Sequence, residues 1–400
     1  MKNHPLHGLV GAVLAVMAVT SACLYHAKPK KTFWTPAAAL EKSVPPALTD
    51  DQAASSLEAA LALSIGKYGQ IDSAAYSFGR DSVSADRIRE SLADFQAKLG
   101  EMGLGEPFFH YVGDNYVFYR ATGRPFVFTG YYEPTLRGSL TKSAEYPYPL
   151  YRRPDDLVVV DLAAYSFFRE YPDLPRSIRG RLTEENRVIP YFSRNEIDFQ
   201  DKLVGRDLEI VWIDSLIDVF FLQIQGSGIV QLDNGERIRV NYAETNGHPY
   251  RSIGKYLIDR GAISRDQGSL QGIRDYLRQH PDEWRSVLDT NPSYVFFRIT
   301  DLGPIGSFGV PLTAERSIAT DRFLFPQGTL AWIETEKPVL DSDKRIIGWE
   351  KFGRFVLNQD TGGAIRGPGR ADLFFGSGEE AEIGAGHMMQ KGSLFFLLKK

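Results

Sequence analysis

Apolar positions along the chain change period three times. The stretch TDDQAASSLEAALALSIGKYGQ opens on Thr49 and Asp50 as capping residues and keeps helical spacing. SADRIRESLADFQAKLGEMG predicts a second helix, with Ser84 as cap, Ile88, Leu92, Phe95 and Leu99 on one stripe, and a terminal glycine. At PFVFTGYYEP the pattern becomes aromatic and β-branched, broken by Pro, Gly and Asn, and it stays so to about residue 245. That region includes LEIVWIDSLIDVFFLQIQGSGIVQLDNGERIRVNY, read as strands, in which LDNGERIRV signals a hairpin. Helical spacing returns over Tyr250–Arg260 and Ser264–Leu288, with Pro281 starting a new helix. After NPSYVFFRIT the chain is β-rich again, in TLAWIETE, KFGRFVLNQD, ADLFFG and GSLFFLLKK. The pattern predicts a mainly β protein with flanking helices, built on two barrels or sandwiches.

Length and composition narrow the partners. At 400 residues two domains are expected, and 43% hydrophobic with 24% charged residues is an ordinary globular balance. The net charge of −4 and the lack of a long basic run argue against a nucleic-acid partner and for neutral or amphoteric substrates. The N-terminal MKNHPLHGLVGAVLAVMAVTSAC carries an apolar run from Leu9 to Val19, shorter than the roughly 20 residues that span a bilayer. Residues 1–22 therefore read as a signal peptide. Cys23, the sole cysteine, follows Thr20-Ser21-Ala22, a stretch that resembles a bacterial lipobox with Thr20 where the pattern has Leu. That resemblance implies a diacylglycerol on the thiol. Leu24 after it implies sorting to the outer membrane, on its periplasmic face. Residues 23–48 are then a lipidated tether, polar and rich in Ala, Pro and Lys.

The residues leave little room for metal or nucleotide chemistry. His26, His110, His248, His280 and His387 are scattered, with no HExxH spacing, so no metal or cofactor is expected. GSGIV and GSGEEAEIGAG match neither a Walker motif nor GxGxxG. Ser227 in QIQGSGIV fails the GxSxG nucleophile elbow because position 225 is Gln. Carboxylates among aromatics and amides remain, the equipment for a sugar polymer. Tyr131, Tyr132 and Tyr250 suit stacking on pyranose faces, and Gln223, Gln225 and Asn246 suit bonding hydroxyls or N-acetyl groups. Each of these also reads as a core aromatic or a strand-end amide. Asp360 ends one apparent strand and Asp372 begins another, while Asp321 sits at a similar strand-to-turn position. All three read equally as turn and cap residues. The alternative gives Asp372, set against LFF, a raised pKa and a general-acid role, oriented by Asp360 through the TGG backbone.

Several motifs occur together and in order: GYYEP, FLQIQGSG, GHPYRSIG, NPSYVFF, PLTAERSIATDRFLFPQGT and QDTGGAIRGPGRADLFFGSGEEA. From about Thr129 to Ala381 the chain resembles the membrane-bound lytic murein transglycosylase A family, and its last third resembles the domain named for three aspartates. The resemblance implies a double-psi β-barrel with a second β-barrel inserted and a groove between them. On that reading residues 49–130 are the helical start of the first domain, 131–300 the insert and 301–400 the catalytic barrel. It implies cleavage of the β-1,4 bond between N-acetylmuramic acid and N-acetylglucosamine of peptidoglycan, giving a 1,6-anhydro product, in exo mode. Asp372 of RAD would be the catalytic acid, with Asp360 and Asp321 supporting it. The matching motifs put Thr129, Tyr131, Tyr132, Gln225, Gly226, Ser227, His248, Tyr250, Arg251, Thr361, Gly362 and Gly363 among the expected substrate contacts. A hydrolase pairing Asp372 with Glu379 or Glu380, and a non-catalytic wall-binding lipoprotein, are the rival readings.

Overall fold

The computed structural model describes residues 34–72, 74–169, 174–265 and 267–400. Cys23, the expected signal peptide and the first part of the expected tether lie outside the described residues. No helix among the described residues is long and apolar enough to cross a membrane.

In chain order the first part holds α1 (Pro36–Ala39), β1 (Leu40–Ser43), α2 (Ala54–Tyr68), β2 (Ala75–Phe78), β3 (Asp81–Ser84), α3 (Ala85–Met102), α4 (Glu106–Asn115), β4 (Tyr116–Ala121) and β5 (Phe126–Glu133). An excursion follows: β6 (Thr135–Ser139), β7 (Tyr148–Tyr151), β8 (Leu157–Asp161), β9 (Ser177–Leu182), β10 (Val188–Pro190), α5 (Arg194–Asp198), β11 (Glu209–Ile213), α6 (Leu216–Gln225), β12 (Ser227–Leu232), β13 (Arg237–Thr245), α7 (Ile253–Asp259), α8 (Leu270–Gln279), α9 (Trp284–Asp289) and β14 (Val295–Ile299). The chain then returns through β15 (Ser317–Ala319), β16 (Leu330–Leu340), β17 (Ile346–Asp360), β18 (Arg370–Ser377), α10 (Glu379–His387) and β19 (Met389–Lys399).

The first and last parts close one barrel. Its order is β19–β16–β17–β15–β18–β5, and β5 pairs back to β19, so the six strands form a ring; β4 and β1 extend it from β19. β18 lies parallel to β5 and β15 parallel to β17, while the other pairs in the ring are antiparallel. Phe95 of α3 and Phe108 of α4 pack edge-on against Phe355 of β17, covering one side of the ring. Two fully buried arginines pin the chain before α2 to the barrel. Arg316 grips Asp50 at 2.6 and 2.9 Å, and Arg354 grips Asp51 at 2.7 and 2.8 Å. With both partners of the first pair at 0% exposure, the charges are satisfied within the protein: Arg316 also donates to Ser56 Oγ and to the Ala53 and Phe355 carbonyls, and Asp50 also accepts the Gln52 and Phe355 N–H groups.

The excursion builds a second sheet in the order β14–β13–β12–β6–β11–β7. A parallel bridge from Arg152, just after β7, to Phe297 of β14 brings its two edges together. The hairpin expected at LDNGERIRV forms as β12 and β13, turning at Gly235, whose φ of 89° suits glycine. The stretch LIDVFFLQIQ, expected to be strand, is instead α6. Seven of its ten residues are buried, so its apolar run is nearly continuous and its few polar positions mark the helical period only faintly. Ser215 caps it by accepting from the Asp218 N–H, and Gly226 ends it at φ 84°. α4, α5 and α10 also lay unseen in the pattern, α5 behind a Ser193–Glu196 capping box.

Candidate active site

β18 places Asp372 between two neighbours. In register it faces Thr129 of β5 on one side and Ala319 of β15 on the other. The Thr129 hydroxyl donates to Asp372 Oδ1. Arg370, two residues earlier on the same face of the strand, donates from Nε to Oδ1 at 2.9 Å and from Nη2 to Oδ2 at 3.1 Å. The same Nε lies 3.2 Å from Thr129 Oγ1, closing a triangle. The Asp372 side chain keeps 15% of its exposure. Burial pushes its carboxyl above the ordinary value, against the pull of Arg370 and the Thr129 hydrogen bond.

Asp360 ends β17 at a bulge, opposite Ala319. Its Oδ1 accepts the N–H groups of Ser307 at 2.9 Å and Thr361 at 2.8 Å. Burial nevertheless pushes this carboxyl up to about 6, with those two N–H groups opposing. Tyr131, next but one to Thr129 on β5, packs its ring on Phe374 at 5.2 Å. Its hydroxyl is buried and completes no hydrogen bond, yet it stands close enough to Asp360 and Asp372 to respond to both. Burial first, then those two carboxylates, hold its proton well above the ordinary tyrosine range. Asp372, Asp360 and Tyr131 thus form one electrostatic group.

Asp321 works differently. Its Oδ1 accepts from Phe323 N at 3.1 Å and its Oδ2 from Gly367 N at 2.9 Å, so it fastens the turn after β15 to the loop between β17 and β18. In that loop the Thr361 hydroxyl donates to Thr320 O at 2.7 Å, and Gly362 O accepts from Ile365 N at 3.1 Å. The Thr361 N–H is committed to Asp360, so it does not link Asp360 to Asp372; Tyr131 fills that gap. Gly363 borders open space.

From the insert, Tyr250 reaches the group. It is 38% exposed, and its hydroxyl lies close enough to Arg370 to respond to that charge. Other expected contacts have structural duties. Tyr132 is 1% exposed, which leaves no ring face for a sugar. Gln225 Oε1 accepts the Tyr132 N–H at 3.0 Å, tying α6 to β5. Gly226 is the left-handed end of α6, and Ser227 is buried opposite Asn241. His248 Nε2 pairs with Tyr191 O at 2.8 Å, and the Arg251 N–H donates to Asn291 Oδ1 at 3.0 Å. Gln223 accepts from the buried Arg194 at 2.6 Å, and Asn246, 1% exposed, bonds Phe192 O and Pro292 O. Sequence reasoning passed over Arg370, although RAD displays it. Residues two apart on a strand share a face, and that spacing was the available signal.

Comparison with known proteins identifies the family. The family description "MltA specific insert domain" matches residues 127–298, and "3D domain" matches residues 316–398. Membrane-bound lytic murein transglycosylase A of Escherichia coli (strain K12) is 35% identical over 276 residues, 68% of this chain. That aligned part spans 65% of the relative's own length. The crystal structure of membrane-bound lytic murein transglycosylase from Agrobacterium tumefaciens superposes with a TM-score of 0.74 at 31% identity, covering 90% of this chain and 98% of that one. The crystal structure of E. coli MltA with bound chitohexaose gives a TM-score of 0.65 at 26% identity, covering 90% of this chain and 94% of that one. With two family domains matched along the sequence and a solved relative covered almost from end to end, the chain belongs to the membrane-bound lytic murein transglycosylase A family.

Proposed function

We propose that the protein is a peptidoglycan lytic transglycosylase that cleaves the β-1,4 bond between N-acetylmuramic acid and N-acetylglucosamine, with Asp372 as its single acid/base. The observation that carries this reading is the Asp372 carboxyl itself, largely withdrawn from solvent, gripped by Arg370 and Thr129, and raised in proton affinity. Asp372 donates its proton to the leaving glycosidic oxygen. The muramyl 6-hydroxyl then attacks C1 of the same residue and passes its proton to Asp372, forming the 1,6-anhydro ring. A nucleophile carried by the substrate needs no second catalytic carboxylate and gains from proximity. Asp360, held by two backbone N–H groups, and Tyr131 set the field in which Asp372 ionises. Tyr250, within electrostatic range of Arg370, borders the sugar path from the insert side. The chitohexaose bound by the E. coli relative supports a β-1,4 glycan as ligand.

The hydrolytic rival has less support. Glu379 is 67% exposed and ion-paired with Lys344, and Glu380 is exposed as well, so neither is held beside Asp372 as a partner. The expected anchor at Cys23, with outer-membrane placement and exo action, belongs to the same proposal. Support for the anchor comes from the lipobox-like sequence and from relatives named as membrane-bound.

Incubation with purified murein and mass analysis of the soluble products tests the reaction. Wild-type protein should release 1,6-anhydro muropeptides, and Asp372→Asn should release none while still sedimenting with murein. Products heavier by one water per cut would overturn the transglycosylase reading, and near-normal turnover by the Asn variant would overturn the role of Asp372.

A further inference from the structure

A cleft of about 450 Å³ separates β8 and β9 of the insert from the turn after Asp321. Val159, Arg176 and Ser177 line the insert wall; Arg322, Phe323 and Gln327 line the barrel wall. None of these residues has a part in the proton chemistry above. The cleft is nonetheless joined to it. Gln327 Nε2 donates to Ser307 Oγ at 2.5 Å, and the Ser307 N–H is one of the two donors to Asp360.

The charge in the cleft is unbalanced. Arg179, also on β9, is neutralised by Glu244 at 3.1 Å. Arg176 and Arg322 are exposed, and among the described residues no carboxylate lies within ion-pair distance of either. The acid on the cleft lining, Asp161, caps the turn that follows β8 by accepting from Ala163 N at 3.0 Å. Arg322 lies over the ring of Phe323 at 5.0 Å, and that ring is itself 41% exposed. Two guanidinium groups with no carboxylate partner among the described residues, and an aromatic ring on the same lining, suit an anion attached to an apolar or sugar body.

Resting on the transglycosylase reading, we propose that Arg322 and Arg176 form a carboxylate-reading station for the substituent on the muramyl ring. Muramic acid differs from N-acetylglucosamine by a 3-O-lactyl acid, which carries the peptide stem. On a stem-bearing residue the lactyl carboxyl is tied up as an amide and the stem carboxylates supply the anion; on a residue without a stem the free lactyl carboxylate supplies it. A neutral chito-oligosaccharide supplies none. The station makes this protein prefer acid-bearing glycan over plain polymers of N-acetylglucosamine.

Binding by the Asp372→Asn protein, which leaves the ligand uncut, tests this directly. The probes are stem-bearing glycan chains, the same chains after amidase removal of the peptide, and chitohexaose. Arg322→Gln and Arg176→Gln in that background should each raise Kd for stem-bearing chains by about 3- to 10-fold, more at low ionic strength, and leave chitohexaose unchanged. A loss confined to stem-bearing chains assigns the station to the stem carboxylates; an equal loss with stripped chains shows that it also takes the lactyl carboxylate that the amidase sets free. Parallel weakening of chitohexaose, or no change with any probe, would overturn the proposal. Product release from murein by the wild-type protein separates the two readings. Its absence sinks the transglycosylase reading, whereas anhydro release alongside arginine variants of unaltered Kd sinks only the carboxylate station.

Discussion

Arg370 holds both oxygens of Asp372, Nε on Oδ1 at 2.9 Å and Nη2 on Oδ2 at 3.1 Å, from two residues away on the same strand. This grip works against burial, which alone would leave Asp372 protonated over a wider range of pH. Arg370→Gln removes the opposing charge, so the limb of kcat/KM assigned to Asp372 should move to higher pH. The carboxyl also loses its orientation, at a cost on the order of tenfold to hundredfold in kcat. A pH–rate profile checks both. An unmoved limb would mean that Arg370 does not set the proton affinity of Asp372.

Asp360 stores a conflict between stability and function. Its carboxyl is pushed from 3.8 up to about 6, so the folded state binds this proton more tightly than the unfolded chain. The resulting stabilisation is full below about pH 4 and is lost as pH rises through about 6. Asp360→Asn cannot ionise, and its Oδ1 can still accept from Ser307 and Thr361. It should therefore unfold at higher denaturant than wild type at pH 7, by up to about 3 kcal/mol, with the two curves converging near pH 4. Urea unfolding at both pH values measures this, and murein turnover should fall although stability rises.

Asp321 fastens two loops, so its loss should be felt as structure. Asp321→Ala leaves the N–H groups of Phe323 and Gly367 without their acceptor and should cost about 1–3 kcal/mol of stability. Asp321→Asn keeps one acceptor oxygen and should recover part of the loss. If Ala and Asn variants unfold together with wild type, the fastening role is wrong.

Gly130 sits between Thr129 and Tyr131, beneath α10. A Cβ there would meet Ala385 Cα at 2.5 Å and the Phe375 ring at 2.8 Å. Gly130→Ala should displace α10 from β5, with a loss of about 1–3 kcal/mol and reduced turnover, because Thr129 moves with its strand. Thermal unfolding together with murein assays reads the two effects.

The strand framework around the acids was legible because it is simple in period. β16, β17, β18 and β19 each alternate or run apolar between turn residues, and Asp360 and Asp372 stand at the strand ends where the pattern puts them. α6 was not legible, because a short helix with seven of its ten residues buried reads as a continuous apolar run, which a buried strand matches equally well. The division of labour among the acids was hidden too. Asp321, Asp360 and Asp372 look alike in sequence, and only the identity of their donors separates a loop fastener from a carboxyl kept poised. Tyr132 and Tyr131 are adjacent and chemically identical, yet alternation along β5 buries one against Ala381 and Ala385 of α10 and turns the other to the carboxylates. Strand register, which no local window contains, decides between them.

The insert leaves the barrel directly from β5, whose residues Thr129 and Tyr131 flank the reacting group and whose last residue, Glu133, still pairs with β18. Only Pro134 separates that strand from β6 of the insert. The second barrel is therefore mounted on the same beam that carries Thr129, the hydrogen-bond partner of Asp372. On the proposed function, tension on a glycan held by the insert would have only a few residues to cross before Asp372, so load on the polymer and the chemistry that cuts it would share one strand.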